Sequence, residues 1–576
     1  MSRASEKLPS HLKQYITKQD YSVYTEIDQA VWRFIMMVSV PFFKKNAHPI
    51  YLKGLKQTGI PLDKIPRVED MDKKLDSFGW GAVAVQGFIP PSAFMELLSR
   101  KVLAIAIDIR TAEHIAYTSA PDIIHESAGH APIIADKDYA NYLSNYGEIA
   151  KKAIASKEDL ELYEIIREMS DLKENPNADK KDIETITEKF IKCSSSISWI
   201  SEASKLARMN WWSAEYGLIG SIDDPKIYGA GLLSSVGESN DCLLDKVKKI
   251  PFTLDCIKYE YDITEPQPQL FVTESFQNLN DELFKFSENM AYKLGGSKGL
   301  SIAKKAQSIN TVVIDSGLQI SGLLLDYIMD NKNEPIYLQF SGPTQLSFND
   351  QELKGHSKNY HKDGFGSALG KLKTINKSLF ECNKSELEII GIYLNNEVDI
   401  YFKSNLRVRG KVIEILYMKD SPLLISIQSC TIELNDEILF DPSWGTYDLC
   451  CGSQVHSVFG GPADWKNYYS NNFRKKKNST TKNISPDKIK LKSFFEKINQ
   501  VRLGNLKINI CKKVYDEVRV LYPDEWLILV EIFLIVKSNG KMQSISDEII
   551  EILTNKSKEQ NELGKIISRG IEALQS

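Results

Sequence analysis

Two histidines, His125 and His130, stand five positions apart in the segment 117–134 (YTSAPDIIHESAGHAPII), among small and apolar residues. Neutral imidazole ligates zinc and non-haem iron, and an apolar surround controls the access of water to such an ion. The spacing excludes the zinc-protease pattern, which needs histidines four apart on one face of a helix. Five apart on an undistorted α-helix turns the two rings about 140° from each other. Gly129 and Pro132 predict that the helix loosens or ends there, which would swing His130 back towards His125. A lone carboxylate, Glu215, follows in NWWSAEYGLIG (210–220). Among aromatic and aliphatic neighbours it is costly to bury unless it is paired or bound to a cation. Two histidines and one carboxylate form the facial triad that leaves open positions on Fe(II) for oxygen chemistry. On residue types alone Glu215 reads equally as that third ligand or as the ion-pair partner of an arginine such as Arg208. His356 and His361 repeat the five-residue spacing in a polar, loop-like setting and read as a structural pair.

The elements around these residues follow from periodicity. Residues 20–60 carry apolar side chains at helical spacing around Trp32. FGWGAVAVQG alternates as a strand, Pro90–Pro91 breaks it, and PSAFMELLSRK opens a helix with proline in its permitted first turn. VLAIAIDI (102–109) is a second strand with Arg110 at its end, and no dinucleotide-type glycine spacing accompanies it. A guanidinium fixed beside a metal pocket suits bidentate capture of an α-carboxylate. The charged stretch 152–200 predicts two exposed helices, with a lid as the sharper alternative. Gly229 and Gly231 bracket Ala230 and predict a tight backbone approach, next to the hydroxyls of Ser234 and Ser235. Residues 277–333 read as helical. From 336 to 465 short branched runs between turn residues predict a small β barrel or sandwich, with HKDGFGSALGK (361–371) as a loop. A basic linker is expected at 471–488 and helices at 489–576, including the apolar run WLILVEIFLIV that holds Glu531.

At 576 residues the chain has room for two to four domains. Its net charge of −4 gives no electrostatic reason to expect nucleic acid or an anionic membrane. The polar N-terminus is no secretory signal, and the longest apolar run is too short to span a bilayer. The eight cysteines are scattered without a CxxC pair, which suits a reducing cytoplasm. Adjacent Cys450 and Cys451 read as two buried small residues.

Four blocks, PDIIHESAGHAP, WWSAEYGL, KIYGAGLLSSVGES (226–239) and YDITEPQPQLFVTESF (261–276), occur in that order. They resemble the ordered blocks of the pterin-dependent aromatic amino acid hydroxylases over about residues 20–300. The resemblance implies a predominantly α catalytic domain (α+β) at 20–330 with a helical insertion at about 152–200. A tail at 1–19 would precede it, and the all-β segment 336–465 and the helical segment 489–576 would follow. It implies a monooxygenase that hydroxylates the ring of a free aromatic amino acid, phenylalanine to tyrosine first, with tryptophan or tyrosine as alternative substrates. Fe(II) on His125, His130 and Glu215 and a tetrahydropterin would jointly activate dioxygen. By position, Gly87, Ile89 and Phe94 would hold the pterin, with Glu126 acting near it and near the iron-bound water. Arg110, steadied by Asp122, would grip the substrate carboxylate. Thr118, Pro121, Trp211 and Tyr216 would shape the substrate site, and Ser234 would stand near histidine and substrate. The chain departs from animal members at Ala104, Pro91 and Asn210, where they carry histidine, serine and tyrosine, which loosens the inference to the pterin. A zinc hydrolase on the same three ligands and a non-catalytic relative remain the rival classes. The tail is read as holding no second metal constellation. It is assigned to homo-oligomerisation or regulation, and a unit within 20–330 is expected to work without it.

Overall fold

The computed structural model describes residues 2–87, 89–116, 121–174, 179–262, 265–469, 486–537, 539, 542–559 and 561–575. The chain is α+β and divides into two compact units that do not follow its linear order. One unit takes residues 1–148, 207–283 and 475–576; the other takes 149–206 and 284–474.

The first unit is built on the 21-residue helix Glu26–Asn46, started by a capping box in which Thr25 and Asp28 exchange hydrogen bonds. Strands Gly81–Val85 and Val102–Ala106 pair in parallel, joined by the helix Pro91–Ser99. Both strands are buried at every position, which explains their unbroken runs of Ala, Val, Ile and Leu. A four-stranded sheet follows in the order Pro225–Ile227, Leu218–Gly220, Gln269–Thr273, Lys248–Pro251. The expected N-terminal tail is instead packed: Ala4, Leu8 and Leu12 share a core cluster with Val83, Val85 and Leu97.

The C-terminal helices also belong to this unit, contrary to the expected independence of the tail. Glu531, 2% exposed in the helix Leu527–Val536, pairs with Arg33 of the first long helix at 2.5 Å and with Arg502 at 2.7 Å. Phe34 meets Trp526 edge-on at 4.8 Å. Arg569, in the last helix Glu562–Gln575, donates to the carbonyls of Val236 and Gly237. The acid inside WLILVEIFLIV is the cue that this helix needs arginines from elsewhere, because a buried carboxylate must be paired. The basic linker lies almost wholly outside the described residues, and a helix already runs over Pro486–Arg502.

The second unit holds two antiparallel sheets. One orders Gln351–Glu352, Pro335–Phe348, Leu318–Met329, Ile309–Ile314 and Val455–Gly460, with Gly364–Ala368 also on Pro335–Phe348. The other orders Glu397–Tyr401, Leu406–Met418, Ser421–Leu434 and Glu437–Phe440, with Tyr447–Cys450 also on Ser421–Leu434. Two sequence readings are corrected here. SINTVVIDSGLQISGLLLDYIM, read as helix, is a hairpin, since its branched residues favour strands and Gly317 at φ 84° makes the turn. GFGSA, read as loop, is a strand whose Gly366 faces the Tyr337 ring, leaving no room for a side chain. Residues 284–330, expected at the end of the catalytic segment, lie in this second unit. The charged insertion forms the helices Lys157–Glu174 and Lys180–Ser196, and these too belong to the second unit. All eight cysteines are buried and free. Among the described residues no helix is long and apolar enough to cross a membrane.

Candidate metal centre

His125 and His130 do share one face, because the helix loosens rather than ends. Ile124–His130 is a π-helix that runs on into the α-helical turn Ala131–Ile133, with the Ala131 amide bonded to the Glu126 carbonyl. Bonding from i to i+5 widens the turn so that residues five apart become neighbours. Gly129 contributes by proximity: a Cβ there would stand 2.7 Å from the Ala230 carbonyl oxygen, so only glycine lets this helix meet the Ala230–Ser234 helix. Glu215 ends a second π-helical turn, Trp211–Glu215, closed by the Tyr216 amide on the Trp211 carbonyl at 2.8 Å. Gly229 packs on the Glu215 carbonyl, where a Cβ would approach to 2.4 Å. Gly231, the other glycine of the predicted tight approach, packs on the same turn, where a Cβ would stand 2.8 Å from the Tyr216 ring and 3.0 Å from the Glu215 carbonyl oxygen.

The two imidazoles converge on one carboxylate. His125 Nε2 is 3.2 Å from Glu215 Oε2, and His130 Nε2 is 3.3 Å from Oε1. The three ligand atoms lie within 4.8 Å of one another. Arg208, the alternative partner for Glu215, pairs instead with Glu260 at 3.0 Å. Asn210 Nδ2 approaches Glu215 Oε1 at 3.4 Å, an orienting contact that the sequence signalled only as a departure from the animal pattern.

The tautomer of His125 follows from its neighbour. Ser234 Oγ is 3.1 Å from His125 Nδ1 and 2.8 Å from the Ala230 carbonyl. A carbonyl cannot donate, so the hydroxyl gives its hydrogen to Ala230 and accepts one from Nδ1. That leaves the Nε2 lone pair facing Glu215, an arrangement of acceptors that a cation at the centre would satisfy. Burial raises the Glu215 pKa, but the neighbouring imidazoles of His130 and His125 outweigh it and hold the carboxyl well below its ordinary range. The donor set of two imidazoles and a carboxylate fits iron or zinc.

Arg110 is locked beside this centre. Its Nε and Nη2 donate to the two oxygens of Asp122 at 2.8 and 2.9 Å, and Nη1 donates to the Ser234 carbonyl at 3.1 Å. Asp122 also accepts from the amides of Arg110 and His125, both at 3.0 Å. One carboxylate thereby fixes the arginine relative to the first histidine. Burial opposes ionisation of Asp122, but Arg110 and the two amides hold its carboxyl below its ordinary value. Glu126 is the contrasting acid. Burial, with Glu215 and Asp122 adding to it against His130, pushes it up to about 8. Its Oε2 has no hydrogen-bond partner among the described residues.

The remaining expected residues sit as follows. Gly87, at φ 60°, and Ile89 lie on the turn between Gly81–Val85 and Pro91–Ser99. Ile89 and Phe94 pack on the same small core, and Phe94 borders a cavity of about 10 Å³ shared with Leu98, His130, Asn210 and Glu215. Trp211 stacks against Tyr216 at 4.5 Å and against Tyr261 at 4.4 Å, and its Nε1 donates to Gln267 at 3.3 Å. Tyr261 and Gln267 were missed as site residues, although both stand in the YDITEPQPQ block. Pro121 is exposed, and Thr118 lies outside the described residues.

The sequence model of the biopterin-dependent aromatic amino acid hydroxylases matches residues 12–163 and 191–323. Phenylalanine-4-hydroxylase of Mesorhizobium japonicum is 30% identical over 271 residues, covering 46% of this chain and 82% of that protein. That of Dictyostelium discoideum is 30% identical over 273 residues, covering 46% of this chain and 52% of that protein. A crystal structure of Chromobacterium violaceum phenylalanine hydroxylase, with bound iron(III) and oxidised 7,8-dihydrobiopterin, is 25% identical. It covers 50% of this chain and 89% of that one, with a TM-score of 0.39.

Proposed function

Because this chain belongs to the biopterin-dependent aromatic amino acid hydroxylase family, we propose that it converts free L-phenylalanine to L-tyrosine with Fe(II), a tetrahydropterin and dioxygen. The observation that carries this reading is the convergence of His125 Nε2 and His130 Nε2 on the Glu215 carboxylate beside a buried, fully oriented Arg110. Relatives named phenylalanine-4-hydroxylase put phenylalanine ahead of tryptophan and tyrosine. Family membership favours oxygenation over the hydrolysis that zinc on the same ligands would perform. Bound together, iron and the reduced pterin supply dioxygen activation and the electrons that take its second oxygen atom to water.

The chain's own residues bind and orient. Among the described residues three of the five Arg110 N–H donors are engaged, which leaves two for the α-carboxylate of the substrate. Asp122 keeps that guanidinium from turning. Tyr216, stacked on Trp211, and Pro121 are the proposed walls for the aromatic ring, with Thr118 assigned to the same site by resemblance. Gly87, Ile89 and Phe94 are assigned to the pterin. Glu126, whose carboxyl burial pushes up to about 8, is assigned to a position near the pterin and the metal-bound water. Ser234 holds His125 in the tautomer that ligates. Eight buried free thiols suit a reducing cytoplasm. Reconstitution with Fe(II) and a tetrahydropterin, with the three aromatic amino acids offered separately, tests the reading by product mass. Tyrosine from phenylalanine as the fastest conversion is expected; no hydroxylated product from any of the three would refute it.

A further inference from the structure

The five-residue histidine spacing recurs in the β unit, and the fold supplies it with a carboxylate. His356 and His361 lie on the loop between strands Gln351–Glu352 and Gly364–Ala368. Their carbonyls accept from Leu346 and Thr344 of strand Pro335–Phe348, at 3.0 and 3.1 Å. Asp448 stands on strand Tyr447–Cys450, opposite Ser426 in the other sheet. The three side chains come from distant parts of the sequence and are buried, at 5%, 8% and 3% exposure.

We propose that His356, His361 and Asp448 form a second metal site, which takes a divalent transition metal of the zinc(II) type and ties the two sheets together. His356 Nδ1 is 3.3 Å from His361 Nε2, and each nitrogen is 3.8 Å from Asp448 Oδ2. Ligand atoms on a tetrahedral zinc with bonds near 2.0–2.2 Å stand about 3.3 Å apart. A contraction of a few tenths of an ångström therefore brings the three donors onto one ion and leaves its fourth position to a water. The independent observation is Asp448 Oδ2 itself: it is buried, aimed between the two rings, and without a hydrogen-bond partner among the described residues. Its sister oxygen Oδ1 accepts from the Ser426 hydroxyl and so is fixed in place. A single hydrogen between the imidazoles would join two of the three groups and leave the carboxylate unmet. A cation satisfies all three at once. Phe365 and Tyr360 pack on the His361 ring at 5.1 and 4.7 Å and shield the site. The sequence reading took the histidines as a structural pair and the tail as free of a second constellation, because nothing in the local sequence announces Asp448.

The test is zinc content of the full-length protein after loading with excess zinc(II) and desalting. The unaltered chain holds two equivalents, Asp448→Asn and His361→Gln hold one, and His130→Ala/Glu215→Ala, which removes the first centre, also holds one. Zinc-edge X-ray absorption on that double variant shows two imidazole ligands, a signature that general misfolding does not produce. Asp448→Asn reloaded with Fe(II) still hydroxylates, so its lost equivalent reports the second site alone. One equivalent in the unaltered chain, two in Asp448→Asn, or none in the double variant overturns the proposal.

Discussion

Ser234→Ala separates two jobs that one residue performs. The hydroxyl is 3.1 Å from His125 Nδ1, whereas the backbone carbonyl accepts from Arg110 Nη1 at 3.1 Å. Alanine deletes the first contact and keeps the second. A neutral hydrogen bond of this kind contributes about 0.5–1.5 kcal/mol to folding, and a buried Nδ1–H left without its acceptor costs about 1–3 kcal/mol. The larger effect is on the metal. Loss of the group that orients a ligating imidazole weakens metal binding by roughly 10–100-fold, or about 1.4–2.7 kcal/mol. Fe(II) affinity, measured by competition with a coloured chelator, should fall by that factor, while the KM for phenylalanine at saturating iron stays within about twofold. Unchanged iron affinity would show that His125 needs no such orientation. A KM increase larger than the iron defect would mean that Ser234 serves the substrate rather than the metal.

Arg110→Lys should raise the KM for phenylalanine with a smaller effect on kcat, because an ammonium cannot keep two parallel bonds to Asp122 and still offer two more to a carboxylate; steady-state kinetics with an unchanged KM would remove Arg110 from the substrate site. Asp122→Asn should destabilise the fold by about 3–5 kcal/mol at neutral pH, since it strands a guanidinium that is 2% exposed. The native Asp122 pKa is depressed, so its contribution is complete above the ordinary carboxylate range and is lost as pH falls through the lower native value. The melting-temperature gap between the two proteins should therefore narrow below about pH 4, and a gap that stays constant would contradict the assignment. Glu531→Ala should cost towards the lower end of about 3–5 kcal/mol, because Arg33 and Arg502 keep partial access to water. Removal of 486–576 should for the same reason destabilise the unit that holds the metal centre, and a truncated protein that melts like the intact one would refute this.

The ligands were legible as residue types, and the helix that unites them was not. An i, i+5 histidine pair misaligns on any α-helix, and whether the chain resolves this by breaking or by widening depends on Gly129 meeting Ala230, a contact across the fold. Strands Gly81–Val85 and Val102–Ala106 announced themselves in the sequence, the first as an alternating run although the structure buries both of its faces. The hairpin Ile309–Met329 did not, because its apolar residues fit a helical period as well as a strand, and only Gly317 marks the turn. Domain membership was the least legible feature. Glu531 was seen only as an acid in an apolar run, and no local pattern says that Arg33 pairs with it. Asp448 was invisible as a partner of His356 and His361 for the same reason.

The most direct test of the central claim measures iron content and tyrosine formation together in full-length Glu215→Ala. Three protein ligands leave no redundancy, so iron bound at the centre and phenylalanine hydroxylation should be lost together in a chain that still melts cooperatively. Substantial tyrosine formation by that variant would contradict the assignment of His125, His130 and Glu215 as the metal centre.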